Sequence, residues 1–425
     1  MKKILLLLIL PVQLAVAQTN IHLDSCYVWA RQNYPNLKHT QLWKEISALS
    51  IQNKETNLLP QLTLNGQISY QSDVTEISVS IPGMSIPTAS KDRYSTYAEL
   101  QQSIWDGGVT KASKTLEQAI LKSNLCQLEL ELYQLNDQVL RAFFTTLLVD
   151  QQKQVILAQL KVIAKKLELV QSGIRNGVTE PAAALVLKAE EINLKQSIVE
   201  LQAARNASCK MLAVLIGKTV NEQSKFLFQP TFTPDTRLVR PELQLLANQR
   251  EQLSFQSELI QKTRNPKFYG FGQLGYGKPG LNMLLDEFKG YYLLGVGVSW
   301  NAFDWKKTSR QQQVLRLQQD MLQSQEQTFL QNMSIVLIQQ KEEIAKLELL
   351  INNDRQLVGL RTEITKATAS KLENNVITAT DYVQELQTET IAKLQLELHK
   401  IQLNQAHEKY MLLNGKTLKS GNEIN

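Results

Sequence analysis

Gly270-Phe271-Gly272-Gln273-Leu274-Gly275 spells G-x-G-x-x-G, the turn that brings backbone N–H groups against the pyrophosphate of a dinucleotide. That chemistry needs a strand before the glycines and a helix opening within them. Here the glycines lie inside an alternating run that continues to Gly277, so they read as small residues of a strand, turned toward a barrel interior. Other reactive groups are dispersed. His22, His39, His399 and His407 lack metal-ligand spacing, and the seven methionines form no cluster that would hold a soft metal. Cys26, Cys126 and Cys209 are odd in number and far apart, which suits buried small hydrophobes better than a disulfide framework. No Ser, His and Asp signature, P-loop or carboxylate pair stands out. The expectation is a protein that is not an enzyme, with no catalytic residue, no cofactor and no metal.

What the sequence does concentrate is turn and cap chemistry. Arg175-Asn176-Gly177-Val178-Thr179-Glu180-Pro181 ends a helix with residues able to turn left-handed, then restarts one with Pro in the first turn. Glu373-Asn374-Asn375-Val376-Ile377-Thr378 does the same with Asn in place of Gly, and Thr378 and Asp381 have the spacing of a capping box. Pro60 and Pro266 each precede a run of alternating residues; Asp106, followed by Gly107 and Gly108, and Asp304 each follow one.

These features occur in pairs. Pro35, Pro60, Gly66 and Tyr70 recur 206 residues later as Pro241, Pro266, Gly272 and Tyr276. Asp106, Gly177 and Gly217 then match Asp304, Asn375 and Gly415 at an offset of 198. Independent coincidences would not share two offsets, so the chain reads as a tandem duplication. The organisation expected is a signal peptide at 1–17, a first repeat at 18–219, a linker at 220–240, a second repeat at 241–416 and a tail at 417–425. Lys2 and Lys3, the apolar run from Ile4 to Leu10 and the small Ala15-Val16-Ala17 carry the signal-peptide reading. The formal charge of +6, or +4 without those two lysines, is too mild to argue for nucleic acid.

Each repeat reads helix, strand, loop, strand, long helix, turn, helix. In the first, a heptad runs from Leu128 through Leu135, Ala142, Val149, Ile156 and Ile163 to Val170. A second row, from Leu132 through Val139, Thr146, Lys153, Leu160 and Leu167 to Ile174, completes a coiled-coil seam. The long helix, from about 109 to 175, would rise about 100 Å at 1.5 Å per residue. Flanking helices near Asp24 to Leu58 and Pro181 to Ile216 would together match it, and the second repeat keeps a long helix near Lys306 to Glu373. A soluble rod-like coiled coil would share this pattern.

The strands, expected at about 61–70, 94–104, 267–277 and 291–303, decide otherwise. Leu62, Leu64, Ile68 and Tyr70 share one face; so do Tyr94, Ala98, Leu100 and Ile104, then Phe268, Leu274 and Tyr276, then Tyr292, Leu294, Val296, Val298 and Trp300. Polar residues or glycine fill most of the opposite face. Such runs of about ten residues, with aromatics near their ends, fit an outer-membrane barrel. Four strands cannot close one, and open edges are not tolerated in lipid. Several chains must pool their strands, eight from a dimer or twelve from a trimer.

Leu58-Leu59-Pro60 entering a strand, Ile104-Trp105-Asp106-Gly107-Gly108 leaving one, and Arg175-Asn176-Gly177-Val178 at the turn resemble signatures of the TolC-like outer-membrane efflux proteins. The resemblance extends over nearly all of the chain after residue 17, with departures at Trp305 and Asn375. It implies a mainly α protein with a membrane β-hairpin pair per protomer, assembled as a homotrimer with a 12-stranded barrel and an α-helical barrel in the periplasm. It implies a passive exit duct of a tripartite efflux or type I secretion system, set in outer-membrane lipid. A periplasmic adaptor, linked to an inner-membrane pump of RND or ABC type, would dock on the tips: Arg175, Asn176, Gly177, Val178, Thr179, Asn374, Asn375, Val376 and Ile377. It also implies a tunnel constriction at Asp381 and Gln384, although the first repeat has Ala183 where the second has Asp381. The rival reading is a soluble periplasmic coiled-coil adaptor or interaction protein.

Overall fold

A computed structural model describes residues 20–75, 89–221, 223–229 and 238–415. The expected signal peptide at 1–17, the tail at 417–425 and linker residues 230–237 lie outside these. The element order is β1 (Asn20–His22), α1 (Leu23–Asn33), α2 (His39–Glu55), β2 (Gln61–Tyr70), β3 (Asp92–Trp105), α3 (Val109–Arg175), α4 (Pro181–Ile216), β4 (Lys225–Leu227), α5 (Pro241–Lys262), β5 (Lys267–Lys278), β6 (Lys289–Ser299), α6 (Lys307–Glu373) and α7 (Ala379–Leu413). The expected fold class, mainly helical with two β-hairpins, is what the chain adopts. No helix among the described residues is long and apolar enough to cross a membrane.

Two boundaries differ from expectation. The helix expected from Asp24 to Leu58 is cut at Tyr34, which is extended at ψ 121°. Pro35 disfavours helical geometry in the residue before it and cannot donate a backbone bond. The strand expected to reach 303 stops at Ser299. Beyond it, the Trp300 indole donates to the Arg264 carbonyl at 3.0 Å instead of leaving the backbone to extend a ladder.

The chain divides into two compact units, each drawing on both repeats. One comprises residues 38–128 and 242–329 and holds an antiparallel sheet of order β2-β3-β5-β6. Its register stacks Leu62, Leu100, Gly272 and Leu294 in one row and Leu64, Ala98, Leu274 and Tyr292 in the next. That face is broadly exposed apolar surface, with Leu64 and Val296 both over 80% accessible. The opposite face carries rows such as Thr63, Glu99, Gln273 and Leu293, where Gln273 donates to Glu99 at 3.2 Å. Gly270 and Gly272 lie in the apolar rows, in phase with Phe268 and Leu274, and so do not face the barrel interior as expected of the motif's glycines. Gly275 and Gly277 do lie in the polar rows, as do Gly295 and Gly297, which sit beneath the rings of Phe271 and Tyr269. The dinucleotide motif has no helix within it; all six residues belong to β5.

The other unit comprises 1–37, 129–241 and 330–425. One of its cores gathers Cys26, Tyr27, Val139, Phe143, Phe144, Leu212 and Ile216 around the short parallel pair β1 and β4. A second packs Ile156, Ile163 and Val170 of α3 with Leu187 of α4, Leu372 of α6, and Tyr382 and Leu386 of α7. All seven residues of the first heptad row are buried, the arrangement a coiled-coil seam requires. Burial pushes the Tyr382 phenol up to about 12, with the carboxylates of Glu389 and Glu373 adding to it.

Candidate functional site

Both hairpin turns close by the same backbone device. In the first, the Gly177 N–H donates to the Ile174 carbonyl at 3.0 Å and the Val178 N–H to that of Gly173 at 3.0 Å. In the second, Asn375 donates to Leu372 at 3.0 Å and Val376 to Lys371 at 2.8 Å. This double closure satisfies the last helical carbonyls and requires a left-handed residue at the turn. Gly177 supplies it at φ 71° and Asn375 at φ 56°. Asn375 has a reason to differ from glycine. Its side-chain amide donates to the Val178 carbonyl at 3.0 Å, joining the two tips.

Arg175, Asn176, Gly177, Val178, Asn374, Asn375 and Val376 are exposed, whereas Thr179 and Ile377 are half-buried. Ile377 packs on the core of Ile163 and Leu372, and Thr179 lies against Gly173. Just behind the tips, Lys166 is 8% exposed, bridges to Glu373 at 2.7 Å and stands over the Tyr382 ring at 5.4 Å. Expected outcome: Asn375→Ala, which loses the amide and keeps a Cβ in the left-handed region, speeds hydrogen exchange of residues 366–384 about tenfold or more. Asn375→Gly, which removes the strain along with the bond, changes it several-fold less.

Asp381 and Gln384 are both exposed on the first turn and a half of α7. Asp381 completes the capping box: its N–H donates to Thr378 Oγ1 at 3.2 Å, and its carboxylate accepts the Thr378 N–H at 3.1 Å and hydroxyl at 2.7 Å. The Thr378 side-chain and backbone bonds hold the Asp381 carboxyl below the usual range. Because the folded value is the lower one, the cap stabilises at neutral pH and its contribution is lost as pH falls through that lowered value.

The strand–helix junctions are built twice, with one substitution. Asp106 accepts the N–H of Gly108 at 2.9 Å and of Thr110 at 2.6 Å, capping α3. Burial opposes ionisation of Asp106, but the Thr110 and Gly108 bonds outweigh it and the carboxyl stays below its ordinary value. Gly107 and Gly108 follow at φ 75° and 87°; a Cβ on Gly107 would lie 2.7 Å from that of Asn265. Asn265, beside Pro266, donates to the Gly107 carbonyl at 2.7 Å. In the second junction Asp304 accepts the Thr308 N–H at 2.9 Å, and the residues after it, Trp305 and Lys306, take φ 52° and 61°. They stand at the positions of Gly107 and Gly108 by the 198-residue offset. Pro60 follows a 3₁₀ turn and precedes β2 directly.

Residues 27–218 match the model of the family described as outer membrane efflux protein. Among solved structures, VceC, an outer membrane protein of Vibrio cholerae, aligns with a TM-score of 0.64 at 14% identity, covering 92% of this chain and 96% of its own. The first repeat thus carries the outer membrane efflux protein match, and the chain has the fold of the TolC-like outer-membrane channels. The outer-membrane channel OprN aligns with a TM-score of 0.68 at 12% identity over 94% and 91% of the two chains. The open-state MtrE outer membrane channel of Neisseria gonorrhoeae aligns at 0.63 and 15% identity over 92% and 89%. No curated protein matches the sequence significantly. The chain shares the fold of these channels over more than nine-tenths of its length at low identity.

Three features of this channel-like fold have little or no mark in the sequence. The Asn375–Val178 bond joins residues 197 apart and has no local signal. A bulge at Ile104 places Trp105 opposite Phe268, on the apolar face, against the strict alternation of β3. The left-handed pair at Trp305 and Lys306 did have a signal, since the repeat offset lays both on glycines.

Proposed function

We propose that three copies of this chain form a passive exit duct through an outer membrane, built from two repeats of one ancestral unit at 18–219 and 241–416. The observation that carries this is the sheet: an apolar face open to its surroundings and two outer strands, β2 and β6, each paired on one side only. An open apolar face is not stable in water, and an unpaired strand edge is not stable in lipid. Pairing the β2 edge of one copy with the β6 edge of the next removes the open edges, membrane lipid covers the apolar face, and three copies give twelve strands. The helices then continue the duct into the periplasm.

The exposed tip residues Arg175 to Val178 and Asn374 to Val376 are the surface offered to a periplasmic adaptor, which links the duct to an inner-membrane pump of RND or ABC type. Asp381 and Gln384 line the narrow end. Because Asp381 also caps α7, its charge is held ionised where cations would pass. Purified full-length protein is expected to need detergent and to weigh three chains by light scattering, dissociating on heating in SDS. In bilayers, Asp381→Asn should lower the cation preference at least twofold with the trimer intact. A detergent-free monomer would overturn the duct; unchanged ion selectivity would remove Asp381 from the constriction.

A further inference from the structure

The second strand–helix junction contains a conformation its sequence makes costly. Trp305 and Lys306 both sit in the left-handed region, where the Cβ of an L-residue crowds the backbone. The first junction avoids this with Gly107 and Gly108. Strain kept where glycine would relieve it points to a use for the side chains. Trp305 is 77% exposed and stacks edge-on against exposed Phe303 at 4.8 Å.

The surroundings identify the use. Segments 262–267 and 300–310 carry Lys262, Arg264, Lys267, Lys306, Lys307 and Arg310 against a single carboxylate, Asp304. Among the described residues none of the six basic side chains forms an ion pair within 4.0 Å. The equivalent stretches of the first repeat hold only Asp106 and Lys111, so the charge belongs to this junction and not to the turn as such. Immediately beside it, Ile104, Trp105, Phe268, Val296 and Val298 line an apolar cleft of about 300 Å³ on the exposed sheet face. The Ile104 bulge turns Trp105 onto that face, its ring 5.8 Å from Phe268. The Arg264 backbone holds the Trp300 indole at 3.0 Å, next to the end of β6 that carries Val298. An apolar slot, exposed tryptophans and unpaired cations thus succeed one another along the sheet edge.

We propose that this junction is a binding site for an anionic phospholipid, an acyl chain lying in the Phe268–Val298 cleft and the headgroup phosphate meeting Arg264, Lys306 and Lys307. The site rests on the outer-membrane reading. Arginine and lysine supply charge-assisted bonds to phosphate, and tryptophan favours the headgroup level. Trp305 and Lys306 are then positioned by the left-handed turn, one toward the acyl boundary and one toward the phosphate.

The test uses the full-length detergent-solubilised protein, with phosphatidylglycerol and phosphatidylcholine as probes in native mass spectrometry and inorganic phosphate as competitor. Wild type should retain phosphatidylglycerol at least tenfold in preference to phosphatidylcholine. The double change Trp305→Gly and Lys306→Gly installs the glycine pair of the first junction, so it should fold at least as well while losing most of that preference. Arg264→Gln with Lys307→Gln should lose it too. Preference retained in both variants, absent in wild type, or abolished by millimolar inorganic phosphate would overturn the lipid site. Wild type that needs no detergent would instead overturn the duct reading itself.

Discussion

Leu294→Arg should leave the protein outside the membrane fraction, whereas Leu293→Arg, one residue away, should insert normally. Leu294 is 74% exposed in the row with Leu62, Leu100 and Gly272, near the middle of the strands. If that face meets lipid, an arginine there costs about 2–4 kcal/mol per copy, tripled in a trimer. Leu293 is 41% exposed on the opposite face, in the row with Gln273, Glu99 and Thr63. An arginine at 293 meets polar neighbours and a carboxylate close by, so it carries no such cost. The measurement is the share of each variant in sedimented outer membranes after carbonate washing, expected to fall at least tenfold for Leu294→Arg only. Equal insertion of the two would mean that neither face is specified for lipid.

The contrast between Leu293 and Leu294 also shows what a linear reading can and cannot supply. Alternation assigns faces wherever a strand is regular, because successive side chains must point oppositely. It placed Leu62, Leu64, Leu274 and Leu294 together, and the register agrees. It failed at Ile104, where an extra residue shifts the phase of β3, and a bulge has no reliable sequence mark. The inward reading of Gly270 and Gly272 failed for a different reason: a residue without a side chain says nothing of its face, and alternation with Phe268 and Leu274 already sets both on the apolar side. The helices were easier, since a heptad with twelve apolar positions in fourteen states its own buried seam. The tips were half visible. Local chemistry marks Gly177 and Asn375 as turn residues, but the Asn375 amide reaching Val178 depends on a packing of two hairpins that no local pattern encodes.

The same limit makes Gly415 the glycine whose substitution should cost most. It matches Gly217 in the repeat, and both turn left-handed at helix ends, at φ 89° and 65°. By conformation alone Gly217→Ala and Gly415→Ala should be equivalent, at about 1–2 kcal/mol each. Their surroundings separate them. A methyl on Gly217 would overlap the Asn33 side chain, which can swing away at the loss of its bonds to the Val214 and Leu215 carbonyls at 3.0 and 3.3 Å. A methyl on Gly415 would overlap the backbone carbonyl of Val239, which cannot rotate aside. Val239 is itself fixed, its N–H donating to the Asn414 carbonyl at 3.0 Å. The next residue, Arg240, donates to the Leu412 carbonyl at 3.2 Å and lies 4.6 Å over the Tyr133 ring. Relieving the overlap therefore means parting the end of α7 from the segment that enters α5. Gly415→Ala should destabilise by about 4 kcal/mol or more, the range reached when a rigid contact is forced open, and Gly217→Ala by about half as much. Urea unfolding of the two variants in the same detergent checks the order. A midpoint for Gly415→Ala no lower than that for Gly217→Ala would show that this clamp yields, and that the two helix ends respond to conformation alone.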